Sequence, residues 1–268
     1  MQKIVCGFIG SGNMGSALCT ASSRSSADLE ILVSDHTPKK AETLAASVGG
    51  SASSNSAIAE KSDVIFLGVK PQKMELLIQE IQPFLASRKN RYLLVSMAAG
   101  IPIEQLQEWI GLPCPIIRIM PNTAVSVGEG IILYTPNDSA SEADCLTLER
   151  ILSCAGTVLR IQESQMDAAG TVSACAPAFA DLFLEALADG GVACGLPRAL
   201  SLQLASQMLV GSGKLQISTQ AHPGQLKDSV CSPAGSTIEG VRTLEEHAFR
   251  GTVIDAVIAS YLKNRKMI

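Results

Sequence analysis

Between residues 3 and 162, short apolar runs recur at intervals that leave room for a helix between them. The clearest are 3–9 (KIVCGFI), 29–34, 63–69 (DVIFLGV), 92–96 and 115–119. Each is expected to form a strand, and the run 63–69, apolar without alternation, predicts a parallel strand covered on both faces. Further strands are predicted at 130–134 and 156–161, with a helix from Ser141 to Cys154 between them. From about Glu163 the strand signal stops. The remainder reads as helices rich in Ala, Leu and Gly at 164–174, 177–194, 197–215, 238–246 and 249–265. In the fourth of these, Ile238, Val241 and Leu244 form an apolar stripe, while Glu239, Arg242, Glu245 and Glu246 face water. No internal repeat is present. The expected organisation is an α/β unit over 1–162 and an all-α unit over 163–268.

Two loops bring chemistry into this frame. Gly10-Ser11-Gly12-Asn13-Met14-Gly15 lies between the first strand and a helix expected from Ser16. A G-x-G-x-x-G in that setting gives a tight turn and close backbone approach to a pyrophosphate at the helix N-terminus, the mark of a Rossmann-type doubly wound sheet. The second strand ends in Ser34-Asp35-His36-Thr37-Pro38-Lys39. An acid there reads the ribose diol of NAD, whereas small polar and basic residues suit the phosphate of NADP. Asp35 pulls one way, and Ser34, His36, Thr37 and Lys39 the other, so NADPH and NADH both remain open. The second loop begins at the turn pair Pro223-Gly224. It continues through a short polar segment to Ser232-Pro233-Ala234-Gly235-Ser236-Thr237, ahead of the amphipathic helix. Free N–H groups, hydroxyls and a helix dipole suit it to a carboxylate, and the plainer reading is an ordinary capped helix.

Composition narrows the partners. Over 268 residues the chain is 47% hydrophobic and 17% charged, with net charge −4, which fits a globular protein and gives no reason to expect nucleic acid or an anionic membrane. The eight Cys contain no C-x-x-C, so they read as small core fillers in a reducing cytoplasm. The three His lack ligand spacing, and no metal site is expected. Apolar runs look too interrupted to span a bilayer, and the first strand starts too early for a signal peptide.

The stretch HPGQLKDSVCSPAGSTIEGVRTLEE at 222–246 closely resembles the C-terminal signature of the pyrroline-5-carboxylate reductase family, departing from it at Ala234 and Ser236. The resemblance extends along the chain through Val69-Lys70-Pro71, Met97-Ala98-Ala99-Gly100, Arg118-Ile119-Met120-Pro121-Asn122-Thr123 and Gly195-Leu196-Pro197-Arg198. It implies hydride transfer from NAD(P)H to the C=N bond of 1-pyrroline-5-carboxylate, giving L-proline. It also implies a helical substrate-binding and dimerisation domain, hence a two-fold homodimer, with a higher ring of dimers as the larger alternative. The substrate carboxylate is expected at Ser232, Gly235, Ser236 and Thr237, with Thr237 facing the ring nitrogen as the catalytic contact and Glu163 near the substrate. Besides Gly10, Ser11, Gly12, Asn13, Met14, Ser34 and Asp35, cofactor contacts are implied at Asn55, Val69, Lys70, Pro71, Met97, Ala98, Ala99 and Ser229. Ser229 stands where the family usually has asparagine.

Ala234 replaces one of two family glycines, so positive φ there predicts strain. Segment 173–179 (SACAPAF) departs most, losing two glycines, a serine and a tyrosine relative to the family. Two other readings follow: reduction of another cyclic imine or a β-hydroxy acid, and a non-catalytic dinucleotide-binding sensor. The absence of the hydroxyacid relatives' lysine-and-asparagine helix motif opposes part of the first, and intact Ser232 and Thr237 oppose the second.

Overall fold

The computed structural model describes residues 3–265, which form two compact units. One runs to Ala174 and resumes at Lys263; the other spans Cys175–Leu262. The units divide at 174/175, inside a single π turn, Thr171–Cys175, which follows the 3₁₀ turn Glu163–Gln165 and helix α7 (Met166–Gly170).

The first unit is built on one sheet. Its strands are β1 (Ile4–Ile9), β2 (Leu29–Ser34), β3 (Ser51–Ala52), β4 (Val64–Leu67), β5 (Leu93–Ser96), β6 (Ile116–Pro121), β7 (Gly130–Pro136) and β8 (Gly156–Arg160). The order is β3-β2-β1-β4-β5-β6-β7-β8, and β1 to β6 are mutually parallel. This is the expected doubly wound arrangement, whose strand order reverses beside β1. β7 then runs antiparallel to β6, and β8 parallel to β7. Residues 122–129 are too few for a crossover helix, so the chain turns back on itself. A 3₁₀ turn, Thr123–Val127, and Gly128 at φ 76° make that reversal.

Successive strand residues alternate between two cores, as a pleated sheet requires. Cys6, Phe8, Val33, Phe66 and Val95 face α1 (Asn13–Ser23), α2 (Pro38–Ser47) and α6 (Glu142–Ile151), with Phe8 and Phe66 stacked 4.5 Å apart. Ile9, Leu32, Ile65, Leu67 and Leu94 face α3 (Asn55–Lys61), α4 (Met74–Ala86) and α5 (Ile103–Ile110). α1 begins at Asn13 rather than Ser16, because Gly12 is already its N-cap. The cysteines Cys6, Cys19, Cys114 and Cys145 are buried; desolvation pushes the Cys19 thiol up to about 12 and Cys114 up to about 11. They are neutral packing groups.

The second unit consists of α8 (Ala176–Ala193), α9 (Arg198–Thr219), α10 (Pro223–Ser229), α11 (Ser236–Glu246) and most of α12 (Phe249–Arg265). α10 occupies the stretch expected as a polar segment. Pro223 fits its first turn and the His222 ring accepts from the Gly224 N–H, so a Pro-Gly pair that reads as a turn starts a helix. α8 and α9 meet through small residues: a Cβ on Gly191 would lie 2.0 Å from Ser201 Oγ, which itself donates to Ala188 O at 2.8 Å. The unit has almost no core of its own. Leu182, Leu204, Leu215, Ile217, Ile254 and Leu262 are all exposed. An open apolar groove lies between Phe179, Leu182 and Phe183 of α8, Leu244 of α11 and Phe249 and Val253 of α12.

One expectation about apolar runs is corrected. The helical stretch Glu163–Ala193 is long and apolar enough, by length and composition alone, to cross a membrane. Residues 168–180 carry no charge, and the acids beyond them are too sparse to break the run.

Candidate functional site

The ends of β1, β2, β4 and β5 and the turns that follow them form the carboxyl edge of the parallel sheet, and backbone hydrogen bonds knit them together. Gly10 N–H donates to Ser34 O (2.8 Å), Gly68 N–H to Ile9 O (2.7 Å) and Met97 N–H to Leu67 O (3.3 Å). Gly10 has φ +103°, and a Cβ there would sit 2.6 Å from Gly68 O. At Gly15 a Cβ would lie 2.2 Å from Gly10 O, so α1 can abut the end of β1 only without one. Gly12 differs. Its φ is −68° and, among the described residues, nothing lies within 4 Å of a Cβ built on it, so the glycine keeps space open at the start of α1. No side chain caps α1, which leaves the N–H groups of its first turn, at Asn13 and Met14, directed at that space. The cradle fits a pyrophosphate.

The remaining positions in this unit that were expected to contact a cofactor fall along the same edge. Ser11 N–H and Oγ–H both donate to Asp35 Oδ2 at 2.8 Å. Asn55, the first residue of α3, accepts from Ser34 Oγ at 2.6 Å and donates to both Glu80 carboxylate oxygens. Val69, Lys70 and Pro71 follow β4, and Met97, Ala98 and Ala99 follow β5, with Ala98 buried and Lys70 and Ala99 exposed. Ser229 belongs to the second unit: it ends α10, where its hydroxyl donates to Leu226 O at 2.7 Å.

Ser232, Gly235, Ser236 and Thr237 are also in the second unit. α11 starts at Ser236 with Gly235, not a serine or threonine, as N-cap, and no side chain caps it. A Cβ on Gly235 would stand 2.3 Å from Ser232 Oγ, so glycine there holds the loop against its own serine. Ala234 adopts φ 56°, the left-handed conformation that its replacement of a glycine made suspect. The loop keeps its shape at the cost of that strain. Thr237 and Ser236 are exposed in the first turn of α11.

Glu163 lies in the first unit and is already engaged. Its Oε1 accepts from the Ile103 N–H (2.7 Å), at the end of the 97–102 turn, and from Arg118 Nη1 (3.1 Å). Arg118 is 3% exposed; its Nη2 lies 3.7 Å from Asp167 Oδ1, too far for a hydrogen bond, and its Nε has no partner among the described residues. Sequence reasoning did not single out this cluster. The signal was there: a lone arginine inside an apolar strand run must find a counter-charge. Replacing Glu163 with alanine leaves the buried Arg118 with the more distant Asp167 as counter-charge and frees the Ile103 amide. The expected loss is about 3 kcal/mol in urea unfolding, with Glu163→Gln retaining more than Glu163→Ala. Asn122 donates to Ser173 O and accepts from the Ile131 N–H, fastening the π turn to β7.

A switch-point glycine cradle, followed in the chain by a helical unit, marks a dinucleotide-binding protein. The profile described as "Pyrroline-5-carboxylate reductase dimerisation" matches residues 163–267, and "NADP oxidoreductase coenzyme F420-dependent" matches residues 5–100. The chain is 39% identical to the pyrroline-5-carboxylate reductase of Escherichia coli (strain K12), over 100% of this chain and 99% of that one. It is 38% identical to that of Pisum sativum, over 97% and 95%. Among solved structures, pyrroline carboxylate reductase of Plasmodium falciparum with NADP bound aligns with TM-score 0.86 and 34% identity, covering 98% of each chain. The enzyme from Coxiella burnetii aligns with TM-score 0.91 and 26% identity, covering 99% of this chain and 98% of that one. The chain belongs to the pyrroline-5-carboxylate reductase family. It is an oxidoreductase that uses NAD(P)H.

Proposed function

We propose that this chain reduces 1-pyrroline-5-carboxylate to L-proline, the last step of proline biosynthesis. The observation that carries this reading is the loop before α11. It has an uncapped helix start, Gly235 packed on Ser232, and Thr237 presented in the first turn. Such a loop offers the backbone N–H groups of 236 and 237 to a carboxylate, with the Ser232 and Ser236 hydroxyls beside them, while the Gly235 N–H closes the loop on Ser232 O at 3.0 Å. Thr237 then hydrogen-bonds the ring nitrogen.

The dinucleotide, held at Gly10–Met14, Ser34, Asp35, Asn55, Val69–Pro71 and Met97–Ala99, supplies the hydride when bound. As the hydride reaches the imine carbon, the C=N π pair withdraws onto nitrogen, and the protein has only to steady that nitrogen and its proton. A protonated cyclic imine is already a good hydride acceptor, so positioning and a hydrogen bond suffice where a strong general acid is lacking. Glu163 acts one step removed: it holds Ile103 and thereby the 97–102 turn that the nicotinamide side uses, rather than touching substrate. Ser229, bonded to Leu226 O, contributes little unless its hydroxyl turns away. The test is oxidation of NADH or NADPH on addition of racemic 1-pyrroline-5-carboxylate, against a control without it. Oxidation only with the imine supports the reading, and a folded, dinucleotide-binding protein that never oxidises either cofactor overturns it.

A homodimer belongs to the same proposal. The apolar groove of α8, α11 and α12 and the exposed leucines of α8 and α9 are more than a soluble monomer leaves to water, and a second copy covers such a self-complementary face. This use of the apolar stretch within 163–193 favours a protein interface over a membrane. The free thiols fit a reducing cytoplasm. Light scattering at micromolar concentration is expected to give at least twice the chain mass of 28.1 kDa, with a larger even multiple marking a ring of dimers. A strictly monomeric protein contradicts the interface.

A further inference from the structure

The end of β2 is where a dinucleotide fold distinguishes a ribose diol from a ribose 2′-phosphate. Here the sequence offers both signs of charge, and the structure separates them. The Asp35 side chain is 7% exposed, whereas that of His36 is 88% and that of Lys39 85% exposed. Lys39 is turned along α2 toward Glu42, 3.5 Å away. His36 leans back on Asp35, with Nδ1 3.0 Å from Oδ1. The basic side chains therefore stand in solvent and the carboxylate forms the floor.

That carboxylate is rigidly held. Oδ2 takes the Ser11 N–H and hydroxyl, and Oδ1 takes the Thr37 N–H at 2.9 Å. Burial opposes ionisation most strongly, but the hydrogen bonds from Thr37 and Ser11, with His36 alongside, outweigh it and hold the carboxyl below its usual range. It is an anion at neutral pH. Ser11 belongs to the glycine cradle, so Asp35 is tied directly to the turn on which the adenosine half of the cofactor rests.

We infer that Asp35 makes this chain prefer NADH to NADPH, its fixed carboxylate accepting from the ribose hydroxyls of NADH and repelling the 2′-phosphate of NADPH. The Ser11 hydroxyl, free to rotate, gives up one acceptor site on Oδ2 to the ribose; the backbone N–H groups keep the carboxylate in place. A phosphate in the same position brings two negative charges within a few ångströms of a third, in a partly desolvated turn. This specificity rests on the dinucleotide half of the proposed reductase function and is read by binding, which does not require turnover.

The experiment is titration of the folded protein with NADH and with NADPH at fixed, low ionic strength, followed by nicotinamide fluorescence. NADH is expected to bind about tenfold or more tightly than NADPH. In Asp35→Asn the gap is expected to close by about fivefold or more, mainly because NADPH binds better. Raising salt narrows the wild-type gap by screening the repulsion. Equal affinities in the wild type, or tighter NADPH binding, overturn the inference whatever the variant does. So does an Asp35→Asn protein with an unchanged ratio. Should Asp35→Asn fail to fold, Asp35→Ser, which leaves a hydroxyl and no charge, provides the same comparison, and the wild-type ratio decides alone if neither folds. Loss of imine reduction with this binding preference intact counts against the reductase reading and leaves the role of Asp35 standing.

Discussion

Alanine at Gly12 is expected to leave the fold intact and remove dinucleotide binding, while alanine at Gly15 damages both. Among the described residues nothing approaches a Cβ at Gly12, whose backbone is one that any residue adopts, so its unfolding midpoint should move little. The added methyl instead fills the space into which the α1 N–H groups point, and affinity for NADH or NADPH is expected to fall about 10²-fold or more. At Gly15 the same methyl meets Gly10 O at 2.2 Å, a backbone atom that cannot step aside unless α1 lifts from β1. A cost of about 2 to 3 kcal/mol in stability follows, with binding lost as well. Thermal denaturation and cofactor fluorescence on the two variants together separate a binding role from a packing role. Similar destabilisation by both would mean that the motif serves only as a turn.

Thr237→Ala is expected to lower kcat about 10²-fold while leaving NADH and NADPH affinity nearly unchanged. Its side chain is exposed at the start of α11, so stability has little to lose, and its unit is not the one that carries the glycine cradle. Thr237→Ser keeps the hydroxyl and should recover much of the rate. Parallel loss of cofactor binding and turnover in Thr237→Ala would show the loop to be structural.

Much of this was legible in the chain. Period and apolarity located most of the strands, because a parallel strand buried on both faces leaves an unbroken apolar run such as Val64–Leu67. The glycine cradle was legible because its geometry demands glycine, and Ala234 announced its left-handed backbone by standing where a glycine was expected. What escaped depends on partners distant in sequence. The reversal at β7 follows from the length of a loop, not from the composition of the strand. Arg118 meets Glu163 and Asp167 only after β6 and α7 are assembled. The sequence put Asp35 among basic neighbours, and only the fold turns it inward to Ser11, 24 positions earlier, while His36 and Lys39 face water. Helix α10 was hidden by a Pro-Gly pair whose turn-forming habit also suits the first turn of a helix.

The central claim, that hydride passes from the dinucleotide to the imine carbon, is tested most directly with cofactor deuterated at the transferring position. Incubated with 1-pyrroline-5-carboxylate and this protein, it is expected to give L-proline heavier by a single deuterium, located by mass spectrometry on the δ carbon. Proline free of deuterium, or no proline at all from protein that binds the cofactor, would contradict the account.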